Sequence, residues 1–259
     1  MAQLGLNAQI SDHVATIEIA RPEKKNALTQ DMWLGIADMA ASLTASADVR
    51  ALILTGAGGN FCAGADISEF DTLRRGENAA QYEAANSLAF RAFRECRVPT
   101  IAAVDGICFG GGFGLAAACD LRIASPQAIF SVPAAKLGLA YPVDAMSDIV
   151  HALGVQLARY MTFTAGRLDA ATALSLGFLL EVTDQASALE RAREIARTIA
   201  GHAPLSIEAS KAAIRAVLSR DGADIERAAR LGAQTFASED YAEGRAAFRE
   251  RRPARFDGR

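Results

Sequence analysis

The stretch Ile101–Asp120, IAAVDGICFGGGFGLAAACD, leaves this chain few ways to fold. An apolar run ends at a tight turn, three consecutive glycines follow, and an alanine-rich segment of helical character continues to a carboxylate. The pattern predicts a strand that delivers a helix N-terminus. Glycine lets a backbone turn sharply while a ligand lies against it, and the first amides of a helix have no intrahelical acceptor. Those amides, at the positive end of the helix dipole, suit an oxygen gaining negative charge, a thioester oxygen becoming an enolate as readily as a phosphate. The common phosphate loops fit poorly: Gly-x-x-x-x-Gly-Lys-Ser/Thr is absent, and Gly106, Gly110 and Gly111 crowd together without the dinucleotide spacing. Three glycines between a strand and a helix also serve packing, so a second feature has to decide.

That feature is Asn60–Glu69, NFCAGADISE, which follows the apolar strand Ala51–Thr55 and puts Cys62, Ala63, Gly64 and Ala65 ahead of the N-cap Asp66. With RPEKKNAL near the start, GGGFGLAAACD, and SEDYAEGRAAFRERRPARF near the end, it forms an ordered set that resembles the crotonase, or enoyl-CoA hydratase/isomerase, superfamily over almost the whole chain. The resemblance implies an α/β fold, a spiral of ββα units with a C-terminal helical domain, divided as residues 1–195 and 196–259. It implies an oxyanion hole from the amides of Ala65 and Gly111. CoA contacts are implied for Lys25, Ala27, Ala63, Ala65, Asp66, Ile67, Phe248 and Arg251, with CoA as part of an acyl-CoA thioester substrate and no separate cofactor. A homotrimer or dimer of trimers follows from the same resemblance.

Along the chain, strands are predicted at Val14–Ala20, Ala51–Thr55, Thr100–Val104, Leu121–Ala124 and Ala128–Val132. A helix starts at Thr29 or Gln30 and runs to about Ala45. Residues 69–96 read as an insertion and a helix packed through Tyr82, Leu88, Phe90 and Phe93. Strand, strand and helix recur about every 45 to 50 residues. From Ser147 onward the pattern is helical: Leu189, Ala192, Ala196 and Ile199 share a face, Pro204 opens a helix to Leu218, and Ser238 caps the last helix.

Composition excludes several classes. A net charge of −3 without a basic block gives no reason to expect nucleic acid. Cys62, Cys96, Cys108 and Cys119 lack a CxxC pair, as suits reduced thiols of a cytoplasmic protein and not a metal site. No apolar run is long enough to span a membrane, and no export signal is seen.

The sequence departs from the family at the acid and base. Hydratases of this kind use two glutamates, one accepting a proton while the other donates. The matching positions here are Gly114 and Ala134, which carry no proton. Tyr141 stands where a methylmalonyl-CoA decarboxylase of the family has a functional tyrosine, although that enzyme's histidine matches Ala65. Decarboxylation suits what remains, since it makes an enolate and needs no strong base. Hydration that recruits Tyr141, Asp144 or Glu69, and a non-catalytic CoA-binding paralogue, stay open. Asp144 and Asp148, four residues apart, share a face if the segment is helical, and helix-start capping or solvent exposure is the commoner use of such aspartates. His13, His151 and His202 fall outside the expected site loops, and the resemblance implies a structural role for Asp120.

Overall fold

A computed structural model describes residues 4–184 and 187–259. Strands β1 (Leu6–Ser11), β2 (Val14–Ile19), β3 (Ala51–Gly56), β4 (Thr100–Val104), β6 (Leu121–Ala124) and β9 (Glu181–Val182) form one sheet in that spatial order. β1 and β2 are an antiparallel hairpin, and every later pairing within this sheet is parallel. A smaller sheet joins β5 (Ile107–Phe109), β7 (Ile129–Ser131) and β8 (Arg167–Asp169), and the loop after β3 extends it through a bridge from Cys62 to Cys108. Successive turns of the chain therefore place one strand in each sheet before a helix, which is the spiral of ββα units.

Buried parallel strands need near-continuous apolar sequence, and β3 and β4 have it. Helices α1 (Gln30–Ala45), α2 (Asn78–Arg94), α3 (Gly111–Ala118) and α4 (Val143–Thr164) cover one face through Trp33, Phe90, Phe93 and Phe113. The other face is covered by α6 (Ala188–Ala200), whose Ala188, Ala192, Ala196 and Ala200 meet Val14, Ile53, Ile101 and Ile123. Methyl side chains at that spacing let the helix lie close on the sheet. α6 runs across the division expected at 195/196 and stays on the core. α7 (Pro204–Ser219) and α8 (Gly222–Phe236) pack against one another, and α9 (Glu239–Glu250) follows.

Several expectations change. The first strands of successive turns begin at 51, 100, 121 and 181, so the repeat of 45 to 50 residues holds only where α2 is inserted. The helix expected from Ser147 begins at Val143, and the helical stretch is interrupted by β8, by the short α5 (Ala170–Ser175) and by β9. Leu88 is exposed and does not pack; Ala85, Asn86 and Ala89 join Tyr82, Phe90 and Phe93 in the buried stripe of α2. β1 and β5 have no counterpart in the predicted elements.

Candidate active site

Two backbone loops meet at the carboxyl end of β3 and β4, and a third holds them. The loop before α1 carries Asn26 with positive φ and its side chain wholly buried. Asn26 Nδ2 donates to the carbonyls of Ala57 (2.8 Å) and Asn60 (2.6 Å), while its Oδ1 accepts from Arg21 N (2.9 Å). Arg21 donates through Nη1 to Ala27 O and pairs through Nη2 with Asp66 at 3.0 Å. The backbones also join, with Ala63 N donating to Lys25 O, Leu28 N to Gly64 O, and Asp66 N to Leu28 O. On the far side Cys62 exchanges bonds with Ile107 and Phe109, and Asn60 Oδ1 accepts from Ile107 N.

This frame leaves Ala65 between two bonded neighbours. Among the described residues, neither the Ala65 amide nor the Gly111 amide has an acceptor. Gly64 adopts φ +97°, and a Cβ there would stand 3.1 Å from Gly111 N, so the two free amides belong to loops in direct contact. Gly110 turns the chain into α3 with φ +57° and ψ −122°, a conformation open to glycine alone. Its own amide donates to Ser131 O, which fixes the direction of Gly111. Two such donors at a helix start stabilise an oxyanion.

Side chains close the space around them. Trp33 lies over Gly111, where a Cβ would come within 2.7 Å of its Cη2, and Trp33 meets Phe90 edge to face at 5.7 Å. A Cβ at Gly114 would lie 2.8 Å from Phe90 Cζ. Gly114, the position expected to match the first glutamate, carries no side chain, and the ring of Phe90 stands against it. Ala134, the second position, is buried in the turn Pro133–Leu137.

The hydroxyl of Tyr141 is 3.7 Å from the Cβ position of Gly110, so Tyr141 faces the glycine turn. Burial pushes its hydroxyl well above the usual tyrosine range, with Arg74 pulling it down and Glu83 pushing it up. Tyr141 therefore stays protonated. Arg74 donates to Glu83 through Nε and Nη2 (2.7 and 2.6 Å) and stacks over Phe70 and Tyr82. These two charges escaped the sequence reading, because Arg74 and Glu83 sit nine residues apart across a loop and a helix start. Only the apolar neighbours of that insertion carried a periodic signal.

Other expected positions are placed as follows. Lys25 is exposed, Ala27 and Ala63 lie half-buried on the loop frame, and Ile67 is 71 % exposed at the rim. The Asp66 carboxylate is committed: despite burial, bonds from Ser68 and the Arg21 guanidinium hold it below the usual range. Glu69 accepts from Gln30 N at the start of α1. Asp144 accepts from Ser87 Oγ, and Asp148 pairs with Arg94 at 2.5 Å. Both aspartates line a cavity of about 870 Å³ at the opposite end of α3 from the free amides, together with Asp120, His151 and Lys211. Asp120 binds Thr100 and Lys211 there, a structural role.

Phe248 (87 % exposed) and Arg251 stand on α9, and the tail after α9 is held by Arg50 donating to Phe256 O just before β3. That is the amino end of β3, whose six residues span ~20 Å to the site loops. This chain does not bring Phe248 or Arg251 to its own free amides. The four cysteines are buried and unpaired, and burial pushes Cys62 and Cys119 up to about 12. Among the described residues no helix is long and apolar enough to cross a membrane.

A sequence profile of the enoyl-CoA hydratase/isomerase family matches residues 9–259. A crotonyl-CoA hydratase from Syntrophomonas wolfei is 33 % identical over 99 % of both chains. A short-chain-enoyl-CoA hydratase from Clostridium acetobutylicum is 33 % identical over 92 % of both. Among solved structures, one described as of the enoyl-CoA hydratase/isomerase family, from Hyphomonas neptunium, superposes with a TM-score of 0.93 at 37 % identity, covering 99 % of each chain.

Proposed function

Because the chain belongs to the enoyl-CoA hydratase/isomerase family, we propose that it acts on an acyl-CoA thioester by stabilising an enolate between the amides of Ala65 and Gly111, without two-glutamate hydration. The observation that carries this is the pairing of two unbonded amides with a Phe90 ring in the space of the first glutamate. The donors lose no protein bond when they take the thioester oxygen, and a fixed donor is worth far more to an oxyanion than a mobile one.

The reaction that fits is decarboxylation of a malonyl-type thioester. The electron pair of the bond between C2 and the carboxylate carbon moves into the C1–C2 bond, the thioester oxygen takes the negative charge, and carbon dioxide leaves. Tyr141, kept protonated by burial above the glycine turn, then gives its proton to C2 and recovers one from solvent. Phe90 and Trp33 keep water from the reacting carbons. Lys25, Ala27 and Ala63 border the loop frame on which the CoA arm would lie, and Ile67 reaches its rim. Phe248 and Arg251 serve CoA only if a second copy brings them, which favours a trimer.

Hydration is the second reading, favoured by the names of the relatives and by Glu83, a carboxylate on the α2 stripe that also bears Phe90. Mass spectrometry of a panel of enoyl, malonyl-type and β-keto thioesters after incubation with the protein separates the two. Loss of carbon dioxide from the malonyl-type member is expected. Gain of water on the enoyl member would replace this reading with hydration, and no change in any member would replace it with a non-catalytic CoA-binding role.

A further inference from the structure

Glu83, Asn86 and Phe90 lie at i, i+3 and i+7 on α2, so they share the stripe that faces α3. Phe90 touches Gly114, and the next two turns put Asn86 and then Glu83 on the same wall. Asn86 is 5 % exposed, its Oδ1 has no partner among the described residues, and its Nδ2 reaches only Glu83 Oε2 at 3.4 Å. Glu83 is occupied by Arg74. The guanidinium of Arg74 sits 5.2 Å from the Tyr82 ring, whose hydroxyl reaches Leu28 O, the carbonyl that also holds Asp66 beside Ala65. Arg74 thus stands one side chain, Tyr82, away from the Leu28 carbonyl that anchors the Ala65 loop, while the Tyr141 hydroxyl faces the Gly110 turn.

A wall built this way is poorly matched to hydrocarbon. Arg74 Nη1 and the Tyr141 hydroxyl have no protein acceptor among the described residues, and a plain alkyl chain packed against them would strip their water and return nothing. An acceptor oxygen on C3, three bonds from the thioester carbon, would satisfy both donors. We infer that Arg74 and Tyr141 are specificity-determining residues that select acyl groups with an acceptor oxygen attached at C3, a malonyl-type carboxylate or a 3-keto oxygen, over unsubstituted chains. Glu83 and Asn86 are positioning residues: Glu83 accepts from two of the three guanidinium nitrogens and leaves the third for the substrate, and Asn86 donates to the other oxygen of Glu83. The inference rests on the acyl-CoA reading above and adds the class of acyl group.

The test compares dissociation constants of malonyl-CoA, acetoacetyl-CoA and butyryl-CoA, with each thioester's integrity followed by mass spectrometry. The parent protein is set beside Tyr141→Phe and the double variant Arg74→Met with Glu83→Gln, which removes both charges together. On the order of tenfold tighter binding of an oxygenated thioester is expected in the parent, because a site built to hydrogen-bond discriminates against the analogue lacking the oxygen. Both variants should lose that preference while still binding butyryl-CoA. A larger gain for malonyl-CoA identifies the carboxylate, and a larger gain for acetoacetyl-CoA the keto oxygen. Equal binding of all three by the parent, or a preference that survives both variants, overturns the inference and leaves the acyl-CoA reading standing. Failure to bind any of the three overturns both.

Discussion

At the scale of single residues, Gly114 and Phe90 are one feature. Gly114→Glu forces a side chain into the Phe90 ring and is expected to destabilise the fold by about 1–3 kcal/mol without giving hydration of crotonyl-CoA. Adding Phe90→Ala should recover part of that loss, which denaturant unfolding of the single and double variants will measure; additive costs would show that the two side chains do not compete. Asp148 gives a second residue-scale prediction. Burial pushes its carboxyl up to about 6 against the pull of Arg94. The folded chain therefore holds this proton more tightly than the unfolded chain does, so the contribution is fully present below pH 3.8 and is lost as pH rises through 6. The stability of the parent relative to Asp148→Asn should fall by about 3 kcal/mol between those limits, measured by urea unfolding at several pH values. A rise over that window would mean that Arg94 dominates.

At the scale of elements, the site is a junction of three loops, and Asn26 carries it. Asn26→Ala leaves two buried carbonyls and the Arg21 amide unpaired, and about 2–4 kcal/mol of stability should go with them. Acyl-CoA affinity should drop in the same variant, because the Ala65 amide loses its frame; calorimetric titration at a temperature where the variant remains folded checks this. The sequence made the two strand-to-glycine deliveries legible, because apolar runs ending in glycine have few other uses. It also carries the expectation that the family's acid and base are missing, from the offsets of Gly114 and Ala134 to recognisable motifs. It did not disclose that Phe90 stands against Gly114, because contacts between an insertion and a distant helix leave no periodic trace, nor that Arg74 pairs with Glu83 across the loop and helix start of the insertion itself. β9 was equally hidden: two residues, Glu181 and Val182, are strand only because β6 offers them an edge.

At the scale of the whole molecule, the sheet separates two ends, with the free amides at one and the tail after α9 at the other. Phe163, Val217, Phe236 and Phe248, on α4, α7, α8 and α9, are 73–87 % exposed and are candidates for burial between copies of the chain. Sedimentation equilibrium is expected to give a multiple of the 27.3 kDa chain, three or six copies, and a monomer at micromolar concentration would leave Phe248 and Arg251 without a CoA to meet. The central claim, however, concerns two amides. Isotope-edited infrared spectroscopy of an acyl-CoA labelled with carbon-13 at the thioester carbonyl reports on them directly, since hydrogen bonds from Ala65 and Gly111 weaken the C=O bond. The bound carbonyl band is expected at lower wavenumber than in water, narrowed by a single fixed geometry. A band at the aqueous position or above it would show that the thioester oxygen does not sit between these amides, and would contradict the account.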